Sequence, residues 1–198
     1  RLYLKYKEVY YEKAINLINQ LSKEDASGEL KVNLLFMRLL IDIGSFRFSN
    51  IDKSLKEIAV MLSDYSDKYS VNISKLDEFF NEFKSIGLEE YALRLKSEFI
   101  KASDKEASLI VLDRLQQEAQ ATFNMRDYET SSGLYALYFD AKMDKNAGNP
   151  KEELKELADR FYSANKWRYA RQFYSKLLDI KNNNLTNYAH FKIAKTFE

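Results

Sequence analysis

The chain has 198 residues, with 31 basic and 30 acidic side chains, one His, one Pro, five Gly and no Cys. This length can bury a sizeable core in one domain or two small ones, and the scarcity of Gly and Pro argues against turn-rich β folds and Gly-rich phosphate loops. A net charge of +1 gives no global field that would attract nucleic acid or an anionic membrane, and the lack of Cys excludes disulfides, Cys-ligated metals and a Cys nucleophile.

The helical period runs through almost the whole chain, and no segment shows the alternation of a β-strand. Short polar links between the periodic segments favour antiparallel helical hairpins. The predicted helices cover residues 2–21, 29–43, 50–65, 74–86, 88–102, 104–124, 128–143, 151–164, 167–180 and 185 to the end.

Several helix ends carry capping signals. Ser74 followed by Asp77 predicts the start of the fourth helix, and Ser103 with Glu106 predicts a capping box for the sixth. Gly87 suits a left-handed C-cap after the fourth helix.

The longest apolar cluster, residues 34–43, is far shorter than the ~18 residues of a membrane span, so we expect no membrane insertion of this segment. The first residue is Arg1 rather than Met, which predicts a fragment or a processed product.

A period close to 39 residues relates every second helix. Small residues recur at spacings of 40, 38, 39 and 39 residues, and larger ones follow each of them four positions later. The small residues are Ala14, Ser54, Ala92, Ser131 and Ala170, and their companions are Ile18, Ile58, Lys96, Tyr135 and Tyr174. A small residue lets two helices approach closely, so this pattern predicts stacked helical hairpins, against the alternative of coincidental spacing.

The last repeat carries a family resemblance. Leu157, Ala158, Phe161, Trp167, Ala170 and Tyr174 stand in the order of the tetratricopeptide repeat. The resemblance implies an all-α fold, a right-handed superhelix of antiparallel helical hairpins, as one domain over residues 1–198. The best copy is 151–184, weaker copies are 74–102 and 105–143, and 1–66 fits by period only. Asn165 replaces the Gly before the second helix, because Asn tolerates the left-handed conformation.

Signals for catalysis are absent from the sequence. His190 is the only His, so a two-His metal motif cannot form, and no phosphate-binding glycine motif occurs. Acidic pairs such as Glu89-Glu90 lie at helix starts, where the positive end of the helix dipole stabilises carboxylates. We therefore expect no catalytic, cofactor or metal site, and no small-molecule substrate. An all-α enzyme using two carboxylates is the remaining enzymatic alternative.

The resemblance implies a protein-interaction scaffold or adaptor that holds a partner peptide or helix on its concave face. The first helix of each hairpin lines that face in the family. The residues placed there are Gln116, Gln120 and Phe123 from the sixth helix, and Lys155, Asp159 and Tyr162 from the eighth. Phe123 and Tyr162 are the predicted anchors, because aromatic residues dominate interface hot spots. The family's carboxylate clamp is not reproduced.

One basic and aromatic cluster raises a different possibility. Lys166, Arg168 and Arg171 surround Trp167 and Tyr169, a composition that can bind nucleic acid. The repeat pattern favours a structural role for this cluster, with Trp167 in the core and the arginines in solvent. We therefore expect that the chain does not bind nucleic acid. A helical regulatory or nucleic-acid-associated module is the alternative function. The sequence is rich in Lys, Asn and Ile, which is typical of a protein from an AT-rich genome. On that basis we expect an adaptor of the bacterial cell envelope.

Overall fold

The computed structural model describes residues 2–21, 28–64, 69–145, 150–180 and 184–197. Within these ranges the chain forms ten α-helices and no strand, which confirms the all-α prediction. The helices are α1 (Leu2–Leu21), α2 (Gly28–Gly44), α3 (Phe48–Ser63), α4 (Tyr69–Ser85), α5 (Glu89–Ala102), α6 (Lys105–Asn124), α7 (Tyr128–Asp144), α8 (Lys151–Ser163), α9 (Trp167–Asp179) and α10 (Thr186–Lys195).

The chain divides into two compact units. Unit 1 is Arg1–Ser108 and unit 2 is Leu109–Glu198, so the boundary lies inside α6. In unit 1, α2 packs against α3, α4 against α5, and α3 against α5. In unit 2, α8 packs against α9, and α9 also packs against α10 and α7.

Four helix-to-helix turns share one backbone conformation. They connect α2 to α3, α4 to α5, α6 to α7 and α8 to α9, and each contains one residue with a φ between 57° and 75°. That residue donates its N–H to the carbonyl three residues back, and the next residue donates to the carbonyl five back, over 2.8–3.1 Å. This pair of hydrogen bonds is the Schellman C-cap. The left-handed residues are Phe46, Gly87, Arg126 and Asn165, at spacings of 41, 39 and 39.

The left-handed conformations of Gly87 and Asn165 were both expected from the sequence and are confirmed. Phe46 and Arg126 hold the same conformation without the usual residue types, and a side chain in this region costs roughly 1–2 kcal/mol. The backbone therefore repeats at about the same interval as the small residues, independently of which residue occupies the turn.

One predicted helix start and one predicted capping residue are wrong. Helix α4 begins at Tyr69 rather than after Ser74, because Ile73 already belongs to the buried stripe that continues through Leu76. At α6 the capping oxygen comes from Asp104, whose Oδ1 accepts the N–H of Ala107 at 2.9 Å. Ser103 instead donates its hydroxyl to the carbonyl of Phe99 at 2.6 Å, at the end of α5.

The core of unit 1 contains a buried cation. Phe36 stacks on Phe79 with ring centroids 4.0 Å apart, and Lys96 of α5 is only 3% exposed. The Lys96 ammonium lies 3.6 Å from the centroid of the Phe80 ring and 3.7 Å from the Asp77 carboxylate. A cation in contact with an aromatic face and a carboxylate can be buried, which explains why Lys fits the companion position of this repeat.

The core of unit 2 is aromatic. Ring centroids 5.0–6.5 Å apart join rings from α6, α7, α8 and α9 into a continuous aromatic core. Its members are Phe123, Tyr128, Tyr135, Tyr138, Phe139, Phe161, Tyr169 and Phe173. Ala170 is fully buried, as the repeat pattern predicted, and so are Ala92 and Ser131. The Ser131 hydroxyl donates to the carbonyl of Ala119 at 2.8 Å, which fastens α7 to α6.

Candidate functional site

A cleft of about 530 Å³ opens in unit 2 between α6, α7 and α8, and we call it the α6–α8 cleft. Nine of its twelve lining residues carry polar side chains, above a floor that includes Phe139 and Leu157 of the core. The polar lining consists of Gln116, Gln117, Gln120, Asn124, Tyr135, Tyr138, Glu153, Glu156 and Arg160. Gln120 Nε2 donates to Asn124 Oδ1 at 2.8 Å and Gln117 Nε2 donates to Asp113 at 2.7 Å, so these amides keep part of their hydrogen-bonding capacity for the backbone of an extended peptide.

Gln120 is the centre of the cleft's hydrogen-bond network. Its Oε1 accepts from the Tyr135 hydroxyl at 3.1 Å and from Arg160 Nη1 at 2.7 Å. The guanidinium of Arg160 also stacks over the Phe123 ring, 4.5 Å from its centroid. Burial raises the pKa of Tyr135, and the charge of Arg160 opposes that rise in part. The phenol therefore stays neutral at physiological pH and acts as a hydrogen-bonding group.

A second network closes the other side of the cleft. Lys142 Nζ donates to the two Glu153 oxygens at 2.7 and 2.8 Å and to the Tyr138 hydroxyl at 2.9 Å. Burial alone would lower the pKa of Lys142, but these hydrogen bonds outweigh burial and the pKa is raised. Burial also raises the pKa of Tyr138. Lys142 is thus a permanent cation that neutralises Glu153 and fixes the position of the Tyr138 ring.

The charge of Arg160 is not neutralised in the same way. No carboxylate among the described residues lies within 4.0 Å of its guanidinium, which donates to the neutral amide of Gln120 and lies beside the Phe123 ring and the Tyr135 hydroxyl. An Arg has five N–H donors, and one neutral acceptor leaves most of them available. The cleft therefore offers one cationic group with spare donors beside a row of amides.

The six residues predicted to bind a partner do not form one site. Gln116 and Gln120 line the α6–α8 cleft. Phe123 lies beneath Arg160 and meets Phe161 edge-on, with ring centroids 5.0 Å apart. Tyr162 is half-buried, with the Lys192 ammonium 4.3 Å from its ring centroid. The remaining two, Lys155 and Asp159, belong to a separate cluster.

This tyrosine–aspartate cluster consists of Lys155, Asp159, Tyr174 and Tyr188. Asp159 Oδ1 accepts from both tyrosine hydroxyls at 2.5 Å, and its Oδ2 accepts from Lys155 at 2.9 Å. Burial alone would raise the pKa of Asp159, but the three hydrogen bonds outweigh it and the pKa is lowered. Burial and the hydrogen bond to Asp159 raise the pKa of Tyr188 to about 12. The cluster ties α8 to α9 and α10, so Lys155 and Asp159 have a structural role here.

The two hydrogen-bond centres occupy equivalent places in successive repeats. Tyr135 reaches Gln120 across 15 residues of sequence, and Tyr174 reaches Asp159 across the same separation. Gln120 and Asp159 are themselves 39 residues apart, which is the repeat interval. In both hairpins the Tyr at the companion position therefore donates a hydrogen bond to a side chain of the hairpin's first helix.

Sequence reasoning identified Gln116 and Gln120 of the cleft and missed the rest of its lining, most notably Tyr135, Tyr138 and Arg160. Tyr135 was predicted as the large companion of Ser131, and the rings of Tyr135 and Tyr138 are buried, but their hydroxyls reach the cleft wall. Arg160 gave no periodic signal, because it flanks the buried stripe of α8. The one indication in the sequence was that Arg160 directly follows Asp159, a residue predicted to line the groove.

Trp167 was predicted to be a core residue, and this is wrong. Its side chain is 45% exposed. Trp167 is the first residue of α9, and side chains of a helix lean toward its N-terminus, so the ring projects beyond the helix end rather than into the hairpin.

Comparisons of the chain with protein-family models, with curated proteins and with solved structures gave no match. Within the part of the chain that the structure describes, no three His, Asp or Glu side chains come together as a metal site. No helix in these ranges is both long and apolar enough to cross a membrane.

Proposed function

We propose that this chain is a non-enzymatic interaction module of the tetratricopeptide-like type, which binds an extended segment of another protein in the α6–α8 cleft. The observation that carries the proposal is the wall of four amides, Gln116, Gln117, Gln120 and Asn124, facing the neutral phenols of α7. Such a wall matches the alternating N–H and C=O groups of a peptide backbone.

The position of the cleft supports this proposal. Its amides come from α6 and its charged groups from α8, the first helices of two successive hairpins. The tetratricopeptide resemblance places partner-binding residues on these helices. The predicted residues Gln116 and Gln120 are the two that lie there, so the resemblance and the cleft agree on α6.

We further propose that the hairpins stack into a right-handed superhelix. The four Schellman turns at nearly constant spacing support it, because a repeated hairpin geometry generates a superhelix when the hairpins stack. Small-angle scattering should then give a radius of gyration larger than that of a compact domain of this length, which is about 16 Å. A value at or below that figure would rule the superhelix out.

The cleft can be tested with peptides chosen without assumptions about the partner. Peptides selected from a random display library against the whole chain would be measured by isothermal titration calorimetry. The variant Gln116→Ala/Gln120→Ala removes two amides from the wall, and we expect the affinity to fall about thirtyfold, since two lost hydrogen bonds are worth about 1 kcal/mol each.

The matched control is Gln172→Ala/Asn187→Ala, which removes two exposed amides of α9 and α10 outside the cleft. The control should bind like the parent chain. Should Gln120→Ala disturb folding through its bond to Tyr135, Glu156→Lys alters an exposed cleft residue instead. Peptides that bind all of these variants equally would show that the cleft is not the binding site.

A further inference from the structure

A second pocket of unit 2, of about 320 Å³, lies at the turn between α8 and α9 and at the end of α10. We call it the basic pocket, and it is lined by Asn165, Lys166, Trp167, Arg168, Tyr169, Arg171 and Thr196. Three of these seven residues are cationic and none is acidic. Because Trp167 is exposed, the pocket combines positive charge with an accessible aromatic surface.

The three cations have aromatic rather than acidic partners. Lys166 lies 4.8 Å from the Tyr128 ring centroid, Arg171 lies 4.3 Å from that of Phe197, and Arg168 lies 5.9 Å from that of Tyr169. Among the residues that the structure describes, none of the three has a carboxylate within the 4.0 Å of an ion pair.

Three other cations of unit 2 are paired with carboxylates. Lys142 pairs with Glu153, Lys155 with Asp159, and Lys176 with Asp140. The chain as a whole carries nearly equal numbers of acids and bases. The basic pocket therefore brings together three cations that, among the described residues, have no carboxylate within 4.0 Å, and Arg160 and Lys192 of the same unit likewise contact rings instead.

We propose that the basic pocket binds an acidic linear segment of a partner protein, with a carboxylate on Arg168 or Arg171 and an apolar side chain against Trp167. Arg pairs with carboxylates through two parallel hydrogen bonds, and Trp and Arg are the residue types that anchor protein interfaces. The pocket is separate from the α6–α8 cleft, so this proposal stands or falls independently of that one.

The charge pattern favours an acidic peptide over nucleic acid. This pocket offers three cations, fewer than the about 6–10 phosphate contacts of a strongly salt-dependent nucleic-acid site. The net charge of +1 also provides no long-range attraction for a polyanion.

The chain contains its own probe for the test, because Trp167 is its only Trp. A ten-residue peptide of Asp and Glu around one Leu would be titrated into the full chain while Trp fluorescence is recorded. The same peptide with Asn and Gln in place of the acids is the control ligand. We expect a saturable change in intensity or wavelength with the acidic peptide and none with its amide counterpart.

Arg168→Gln, which alters an exposed side chain, should weaken the binding of the acidic peptide about tenfold. Arg171→Gln should do the same, and Arg168→Gln keeps the test valid if loss of the Arg171 contact with Phe197 disturbs α10. Lys176→Gln removes the same charge from the same helix, but from a cation already paired with Asp140, and should leave the affinity within about twofold.

Three results would overturn the proposal. The first is equal binding of the acidic and amide peptides, and the second is an equal loss with Arg168→Gln and Lys176→Gln. The third is tight binding of a ten-nucleotide oligothymidylate that Arg168→Gln weakens, with no binding of the acidic peptide, which would assign the pocket to nucleic acid instead. Gln116→Ala/Gln120→Ala should bind the acidic peptide normally, which separates this pocket from the cleft.

Discussion

Replacing Phe161 by Ala is expected to lower the free energy of unfolding of unit 2 by about 3–5 kcal/mol. Phe161 is fully buried in α8, and its ring contacts four others of the aromatic core, from α6, α7 and α9. Alanine would leave a cavity at the point where these helices meet. Urea denaturation followed by the fluorescence of Trp167, which belongs to unit 2, would measure the loss.

Phe191→Ala is the matched control for this change. Phe191 lies on α10 and is 58% exposed, so the same truncation removes little packing there. We expect it to change the stability by no more than about 0.5 kcal/mol. If the two variants differ by less than about 1 kcal/mol, Phe161 does not occupy the centre of the core.

Removing the carboxylate of the tyrosine–aspartate cluster should also be costly. Asp159→Ala leaves the hydroxyl of the buried Tyr174, the hydroxyl of Tyr188 and the ammonium of Lys155 without their shared acceptor. Because a buried donor without a partner costs about 1–3 kcal/mol, we expect a loss of about 2–3 kcal/mol. Adding Tyr174→Phe to Asp159→Ala should recover part of it, since the orphaned hydroxyl is then absent.

The control for Asp159→Ala is Asp140→Ala, which breaks the ion pair with Lys176 on the surface. Exposed ion pairs contribute about 0–1 kcal/mol, so this change should be mild. Equal effects of the two substitutions, or no recovery in the double variant, would show that the cluster acts as an ordinary surface pair.

The tyrosine–aspartate cluster should also make the stability of the fold depend on pH, at both low and high pH. The pKa of Asp159 is lowered in the folded state, so its contribution is present above the ordinary aspartate pKa and is lost as the pH falls below about 4. The pKa of Tyr188 is raised to about 12, so its contribution is present below the ordinary tyrosine pKa and is lost as the pH rises from about 10. Asp159→Ala should weaken both dependences in thermal unfolding.

The fold could be predicted from periodicity because most helices bury a regular stripe. The helical period located the ten helices of the described residues, and the residue types at positions 87 and 165 indicated left-handed turns. The start of α4 was misplaced because Ser74 is an acceptable cap in isolation, whereas the burial of Ile73 extends the helix by more than a turn. Capping signals are local, and burial across the hairpin decides between them.

The candidate site was predicted less well, for a physical reason. Periodicity identifies the buried face of a helix, but it does not indicate where the polar end of a long side chain lies. Tyr135 and Tyr138 have buried rings and hydroxyls in the cleft, and Trp167 occupies a repeat position yet projects past the end of its helix. Gln116 and Gln120 were found because the tetratricopeptide resemblance indicates which face of the sixth helix should carry partner-binding residues.

The four Schellman turns carry a consequence for how such a chain can diverge. One structural position is occupied by Phe46, Gly87, Arg126 and Asn165, an aromatic, a glycine, a cation and an amide. The turn is maintained by main-chain hydrogen bonds, which every one of these residues can make. Mutation can therefore replace the residue while the geometry persists, at a modest cost in strain. Repeats built in this way can lose their likeness to one another, and to any common ancestor, long before they lose the hairpin that defines them.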